Sequence, residues 1–287
     1  MLSFRSKGPI GEIRRAILLH QHIFKNAGST LDWILKRNFG ERLASWDMAS
    51  TASRMTTEWL QKFLDKNKHI QAFSSHQLHG QTLNIRNYAF LDMMFFRHPL
   101  DRLRSIFDFY RRYDLPHPLV GEARAHDLAG FLRVLVEQYP HQANDVQVNL
   151  LSRAGTYQRP PDTEDLRRAC ARMRELAVPG LLEQFDESLV AAEYFIRPTF
   201  GALDFSYQSQ NVSSARQHDQ LSARLDELRT QCGEHLYGQL EALNALDIEF
   251  HEAVQAEIRR RTALIPDFEQ KLTEFSARCA NLVIAGP

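Results

Sequence analysis

Twice before Tyr113 the chain passes from a mainly apolar stretch, through a short turn, into a segment with helical periodicity. The first stretch is Ala16-Ile17-Leu18-Leu19-His20-Gln21-His22-Ile23. It is followed by Phe24-Lys25-Asn26-Ala27-Gly28-Ser29-Thr30 and then by Leu31, Ile34, Leu35 and Phe39 at helical spacing. The second is Tyr88-Ala89-Phe90-Leu91-Asp92-Met93-Met94-Phe95-Phe96, which ends at Arg97-His98-Pro99 and leads into a helix over residues 100–113. Continuous apolar content suits strands covered on both faces, so Met93 to Phe96 read as core and not as a redox site. Strands alternating with helices build a mostly parallel sheet whose ligands bind beyond the carboxyl ends of the strands. The fold class that follows is α/β.

Between these units the spacing predicts a helix over 56–66, with Trp59, Leu60, Phe63 and Leu64 on its apolar side and Thr56 or Thr57 as cap, and a short strand over 70–73 ending in Ser74-Ser75-His76. Arg14 and Arg15 are expected at the solvent edge of the first strand. Beyond Pro118 the chain reads as mainly helical, over 128–139, 146–151 and 164–176. The period leaves 189–196 as strand or helix. A leucine-rich helical extension covers about 212–287, with no sustained heptad, and Pro266 precedes a last helix over 268–282. No repeat or low-complexity linker divides the chain, which is expected to form one domain over 1–287.

The 35 Lys and Arg residues balance 35 Asp and Glu, so nothing in the overall charge favours a nucleic-acid partner. Cys170, Cys232 and Cys279 are widely spaced and form neither a disulfide framework nor a four-cysteine zinc set. A reducing, cytoplasmic setting is expected. No stretch reaches the roughly 18 apolar residues of a membrane span, and the segment from Met1 to Gly11 leads into no signal-peptide core; association with a membrane surface stays compatible with the sequence. Oligomeric state is not legible.

A turn opening into a helix presents unpaired backbone N–H groups to which the helix dipole attracts an anion. Gly28 allows close approach, Ser29 and Thr30 offer hydroxyls, and Lys25 adds a mobile charge. The lysine precedes the glycine, so this is not a Walker A loop. Arg97, just past a strand end, can grip a phosphate in bidentate fashion, and Ser105 can add a hydroxyl. Arg102, Arg104, Arg111 and Arg112 suit a solvated or salt-bridged helix face.

The stretch from His22 to Leu31 resembles the 5′-phosphosulfate loop of sulfotransferases that use 3′-phosphoadenosine 5′-phosphosulfate (PAPS), especially the carbohydrate branch. The stretch from Arg97 to Phe107 resembles the same family's 3′-phosphate motif. The likeness extends more weakly through Asn149, Gly180 to Asp186, Asn211 to Ser213 and Asn244 to Asp247. Phe24, Ala27 and His98 stand where the family often has proline, glycine and aspartate. The resemblance implies a P-loop-like sulfotransferase fold, with Lys25, Asn26, Ala27, Gly28, Ser29 and Thr30 on the 5′-phosphosulfate and Arg97 with Ser105 on the 3′-phosphate. It also implies a carbohydrate or glycoconjugate hydroxyl as acceptor.

Sulfuryl transfer needs an aligned acceptor, a base for its proton, and charge stabilisation on the departing oxygen. Lys25 suits the last role. His76, following an apolar segment, is the preferred base, a position the resemblance also indicates, with His79 as nearest competitor. A metal held by His76 and His79 with His69 is weaker, since no acidic or cysteine ligand completes a set; none is predicted. His20 and His22 project to one side of the first strand and read as structural. The rival functions are a noncatalytic nucleotide- or polyanion-binding protein and, less favoured, an atypical phosphotransferase.

Overall fold

The computed structural model describes residues 14–47, 54–208 and 220–285. The two strand-turn-helix units are neighbours in it. Strand β1 (Arg15–Gln21) leads into helix α1 (Gly28–Phe39), then β2 (Leu43–Ser45), α2 (Thr57–Lys66), β3 (Ala72–Ser75), β4 (Tyr88–Phe96) and α3 (Pro99–Arg112). A helical stretch follows: α4 (Pro118–Ala125), α5 (Leu128–Gln138), the single turn α6 (Pro140–Ala143), α7 (Val146–Arg153) and α8 (Thr163–Glu175). Then come β5 (Val178–Leu181), α9 (Phe185–Phe200), α10 (Leu221–Cys232), α11 (Glu234–Leu243), α12 (Ala245–Thr262) and α13 (Phe268–Ala285). The strands form one parallel sheet in the order β2-β3-β1-β4-β5. Leu18 stands opposite Leu91, and His20 opposite Met93 and Ser74, so the carboxyl ends of β1, β3 and β4 lie side by side.

Both faces of the sheet are covered, as the apolar runs require. Leu18, Ala72, Met93 and Phe95 pack on one face against Leu31, Ile34 and Leu35 of α1 and Leu189 and Ile196 of α9. On the other face Ile17, Leu19 and Phe73 meet Leu60 and Leu64 of α2, while Met94 and Phe96 meet Met173 of α8 and Phe250, Val254 and Ile258 of α12. The carboxyl-terminal helices are therefore integral to the core: α12 covers β4 and β5. Helices α10 and α11 join α3, α4 and α5 in a separate helical core. Thr56 caps α2, its hydroxyl accepting from Trp59 N–H at 3.2 Å.

Residues 189–196, open between strand and helix on their period, lie inside α9. Other expectations change. Arg15 is not a solvent-edge charge: its guanidinium donates to the carbonyls of Leu64, Asn67 and Ile70, tying the end of α2 to the start of β3. Strand β2 is too short to show a period. Strand β5 is Val-Pro-Gly-Leu, composed against strand propensity. Gly180 is needed there because a Cβ would lie 2.4 Å from the Phe95 ring. The weak likeness at Asn211 to Ser213 lies outside the described residues.

Candidate active site

The turn after β1 is fixed from beneath. Ile23 is buried with Met94 and Phe96. Buried Asn26 donates from Nδ2 to the Phe95 carbonyl at 2.9 Å and to Gln147 Oε1 at 3.0 Å, while its N–H donates to the Ile23 carbonyl at 3.2 Å. Asn26 was expected on the phosphosulfate through the backbone of the turn; its side-chain amide holds the loop onto β4, because a buried amide is stable only when bonded. Lys25 and Ala27 have φ of 67° and 62°, in the left-handed region. That conformation costs an L-residue about 1–2 kcal/mol. Replacing Ala27 by glycine is therefore expected to raise stability by about 1 kcal/mol, read as a higher midpoint in urea denaturation with an unchanged slope.

Ala27 is the N-cap of α1 and supplies no side-chain cap, and the first turn carries no acidic residue. The Thr30 and Leu31 N–H groups both use the Ala27 carbonyl, at 3.1 Å. The N–H groups of Gly28 and Ser29 precede the helix's own acceptors, so this end suits an anion. Ser29 is exposed, whereas Thr30 and Gly28 are buried.

Arg97 follows the end of β4 and meets the same turn. Its Nη1 donates to the Lys25 carbonyl at 3.2 Å and its Nε to Asp101 at 2.8 Å. Gln147 secures the backbone: its Oε1 accepts from Arg97 N–H at 3.1 Å and its Nε2 donates to the Arg97 carbonyl at 2.9 Å. Asp101 also receives Arg224 of α10, at 3.0 and 3.1 Å. Burial works against ionisation of Asp101, but Arg97 and then Arg224 outweigh it and hold the carboxyl below its ordinary range. Ser105 is half-buried on α3, one turn from Asp101 and one from Asp108 on the same face. Lys25 is drawn to that face, its Nζ 4.6 Å from the Phe109 ring centroid. Burial, then the Arg97 and Arg112 charges, lowers its pKa to about 8 against the pull of Asp108.

Arg102 departs from the solvated-face expectation. It is buried, and it donates to the carbonyls of Phe24 at 3.3 Å and Gln142 at 3.2 Å, clamping the start of the β1–α1 turn. Arg104 pairs with Asp108 as expected, and Arg111 and Arg112 are exposed.

His76 follows β3. Its N–H donates to Asp47 at 2.9 Å, and its Nδ1 lies 3.0 Å from the His22 carbonyl. A carbonyl only accepts, so Nδ1 carries the proton and Nε2 keeps a lone pair. Burial lowers the His76 pKa, against Asp47, so the ring is neutral near pH 7. His79, the competitor, has φ of 51° and places Nδ1 against Gly155 near the end of α7. His69 is exposed beyond α2, and among the described residues no group of His, Cys, Asp and Glu side chains is disposed to hold a metal ion.

Of the weaker matches, Asn149 is buried in α7, Glu183 accepts from His98 N–H at 2.9 Å beside Arg97, and Asp247 caps α7. Gln147, Asp101, Arg224 and Asp47 were not singled out from the sequence. Gln147, Arg224 and Asp47 reach the site from distant segments, and only the Arg97–Asp101 spacing of one helical turn gave a local signal.

No family model matches the chain. It is 27% identical over 246 residues to an uncharacterized protein of Archaeoglobus fulgidus, an alignment covering 84% of this chain and 97% of the other. The likeness thus spans nearly the whole relative. No helix of the described residues is long and apolar enough to cross a membrane.

Proposed function

We propose that the protein transfers the sulfuryl group of PAPS to a hydroxyl, on a carbohydrate or glycoconjugate. The observation that carries this reading is the 3.2 Å hydrogen bond from Arg97 to the Lys25 carbonyl. It joins a lysine turn at an uncapped helix start to an arginine at the neighbouring strand's end, which supports a donor with phosphates at both ends. Arg97 and Ser105 would take the 3′-phosphate. Lys25 and the Gly28 to Thr30 end of the turn would take the 5′-phosphosulfate. Asn26 supports the turn from below.

In the reaction the acceptor oxygen forms a bond to sulfur as the bond between sulfur and the bridging phosphate oxygen breaks. The acceptor proton passes to His76 Nε2, and adenosine 3′,5′-bisphosphate leaves with its new negative charge beside the Lys25 ammonium. A sugar acceptor is supported by Trp46, an exposed indole at the end of β2 that adjoins Asp47, the residue holding His76 N–H.

The test is transfer of labelled sulfate from PAPS to a library of glycan and small-alcohol acceptors, with calorimetric binding of adenosine 3′,5′-bisphosphate. Arg97→Ala is expected to weaken the bisphosphate by about 10- to 100-fold, the value of a charge-assisted phosphate contact. Unchanged affinity in a folded variant removes the assigned contact. Saturable PAPS binding without transfer to any acceptor would replace this reading with the nucleotide-binding one, and ATP turnover without PAPS turnover with phosphotransfer.

A further inference from the structure

We propose that His22 is a positioning residue for His76, its imidazole ring and its carbonyl together holding His76 in the tautomer whose Nε2 lone pair faces the cleft. The inference deepens the function above and rests on it for the role of His76 as base, though the coupling between the two histidines stands on geometry alone.

The His22 ring lies between two others. Its centroid is 3.7 Å from that of His76, with the planes 26° apart, and 5.3 Å from that of His20, with the planes 18° apart. The His22 carbonyl accepts a hydrogen bond from His76 Nδ1–H at 3.0 Å. One residue thus restrains His76 in two ways. The hydrogen bond selects which nitrogen is protonated, and the stacked ring blocks the rotation that would exchange the two nitrogens.

His22 is itself held. A Cβ on Gly28 would lie 1.4 Å from His22 Nε2, so only glycine at the start of α1 leaves room for the ring. His22 Nδ1 is 3.8 Å from Asp32 of α1. His20 Nδ1 lies 2.9 Å from Ser74 Oγ and 3.2 Å from Asp32, and Ser74 donates to the same carboxylate at 2.7 Å. The row of rings is therefore anchored at one end on the His20–Ser74–Asp32 network and ends at the half-buried His76.

The ring that touches His76 stays neutral. Burial, followed by the repulsion of His20 and His76, lowers the His22 pKa to about 2 against the attraction of Asp32, and Lys25 lowers it further. The groups facing His76 are Asp47 from the end of β2, His20 and His22 from β1 and its turn, and Asp32 from α1. Burial exceeds the pull of Asp47, the larger of the two carboxylate effects. Removing the His22 ring admits water and relaxes that burial, which raises the pKa of His76.

The experiment is imidazole nitrogen NMR on histidine-labelled protein, with turnover and bisphosphate binding measured on the same samples. In the wild type, His76 is expected as the Nδ1–H tautomer; an Nε2–H tautomer overturns the proposal with no variant needed. His22→Ala is expected to release His76 into a mixture of tautomers, move the acid limb of kcat to higher pH and lower kcat by about 100-fold, a cost reached when a reacting group is misplaced by an ångström. Bisphosphate affinity is expected to stay as it was. His22→Phe keeps a flat ring and the carbonyl, and is expected to retain the tautomer and most of kcat. His22→Ala with the wild-type tautomer and rate, or His22→Phe as damaging as His22→Ala, overturns the proposal. A wild type without transfer activity whose tautomer still responds to His22→Ala would remove the proposed function and leave the histidine coupling in place.

Discussion

Lys25→Ala is expected to lower kcat/KM for sulfuryl transfer by about 10³-fold, the upper range for loss of one preorganised charge-stabilising group. The side chain stands between an aromatic ring and two arginines, in surroundings that already disfavour its charge. Because the pKa of Lys25 is lowered to about 8, the ammonium is complete below that pH and is lost as pH rises through it. Wild-type kcat/KM, which reports the free protein, is expected to show an alkaline limb near this value, and the alanine variant to lack it. Transfer assays from pH 6 to 10 with the bisphosphate as binding control measure both. A variant that keeps the rate and the alkaline limb would exclude Lys25 from the chemistry.

Asp247→Ala is expected to produce the largest loss of stability, about 2–4 kcal/mol, or roughly 5–10 °C in Tm. Asp247 is fully buried near the start of α12 and accepts from Gln147 N–H at 3.0 Å and Val148 N–H at 2.7 Å, capping α7 from another helix. Its own N–H donates to Asp145 at 2.9 Å, so the two helix starts brace one another. Without the carboxylate, two buried N–H groups lose their acceptor. Burial, then the charge of Asp247, pushes Asp145 up to about 7, so the substitution is also expected to move Asp145 toward lower pH. Calorimetric melting and carboxyl NMR check the two effects. A variant that melts as the wild type does would show that the cap contributes nothing.

Parts of this architecture were legible because their signals are local. The second central strand was bounded correctly at residues 88–96, since an apolar run ending at Arg-His-Pro leaves little choice. The convergence of Lys25 and Arg97 was expected from the place of Arg97 past a strand end together with the resemblance of the two motifs. Strand β5 was hidden by its proline and glycine, which are tolerated because Phe95 packs over Gly180 and the strand lies at the sheet edge. The supporting role of the Asn26 side chain could not be read from its own turn. Its true partners come from β4 and from Gln147, more than a hundred positions away. Arg102 was misplaced for the same reason: charge periodicity cannot reveal that the Phe24 carbonyl turns toward α3.

The Gln147 side chain receives Asn26 from one turn and clasps both backbone groups of Arg97 in the other. A single neutral amide, rigid in its plane, therefore sets the gap between the two cationic stations. Under the proposed function that spacing would act as a caliper, favouring a donor whose negative ends match its span over one charged at a single end.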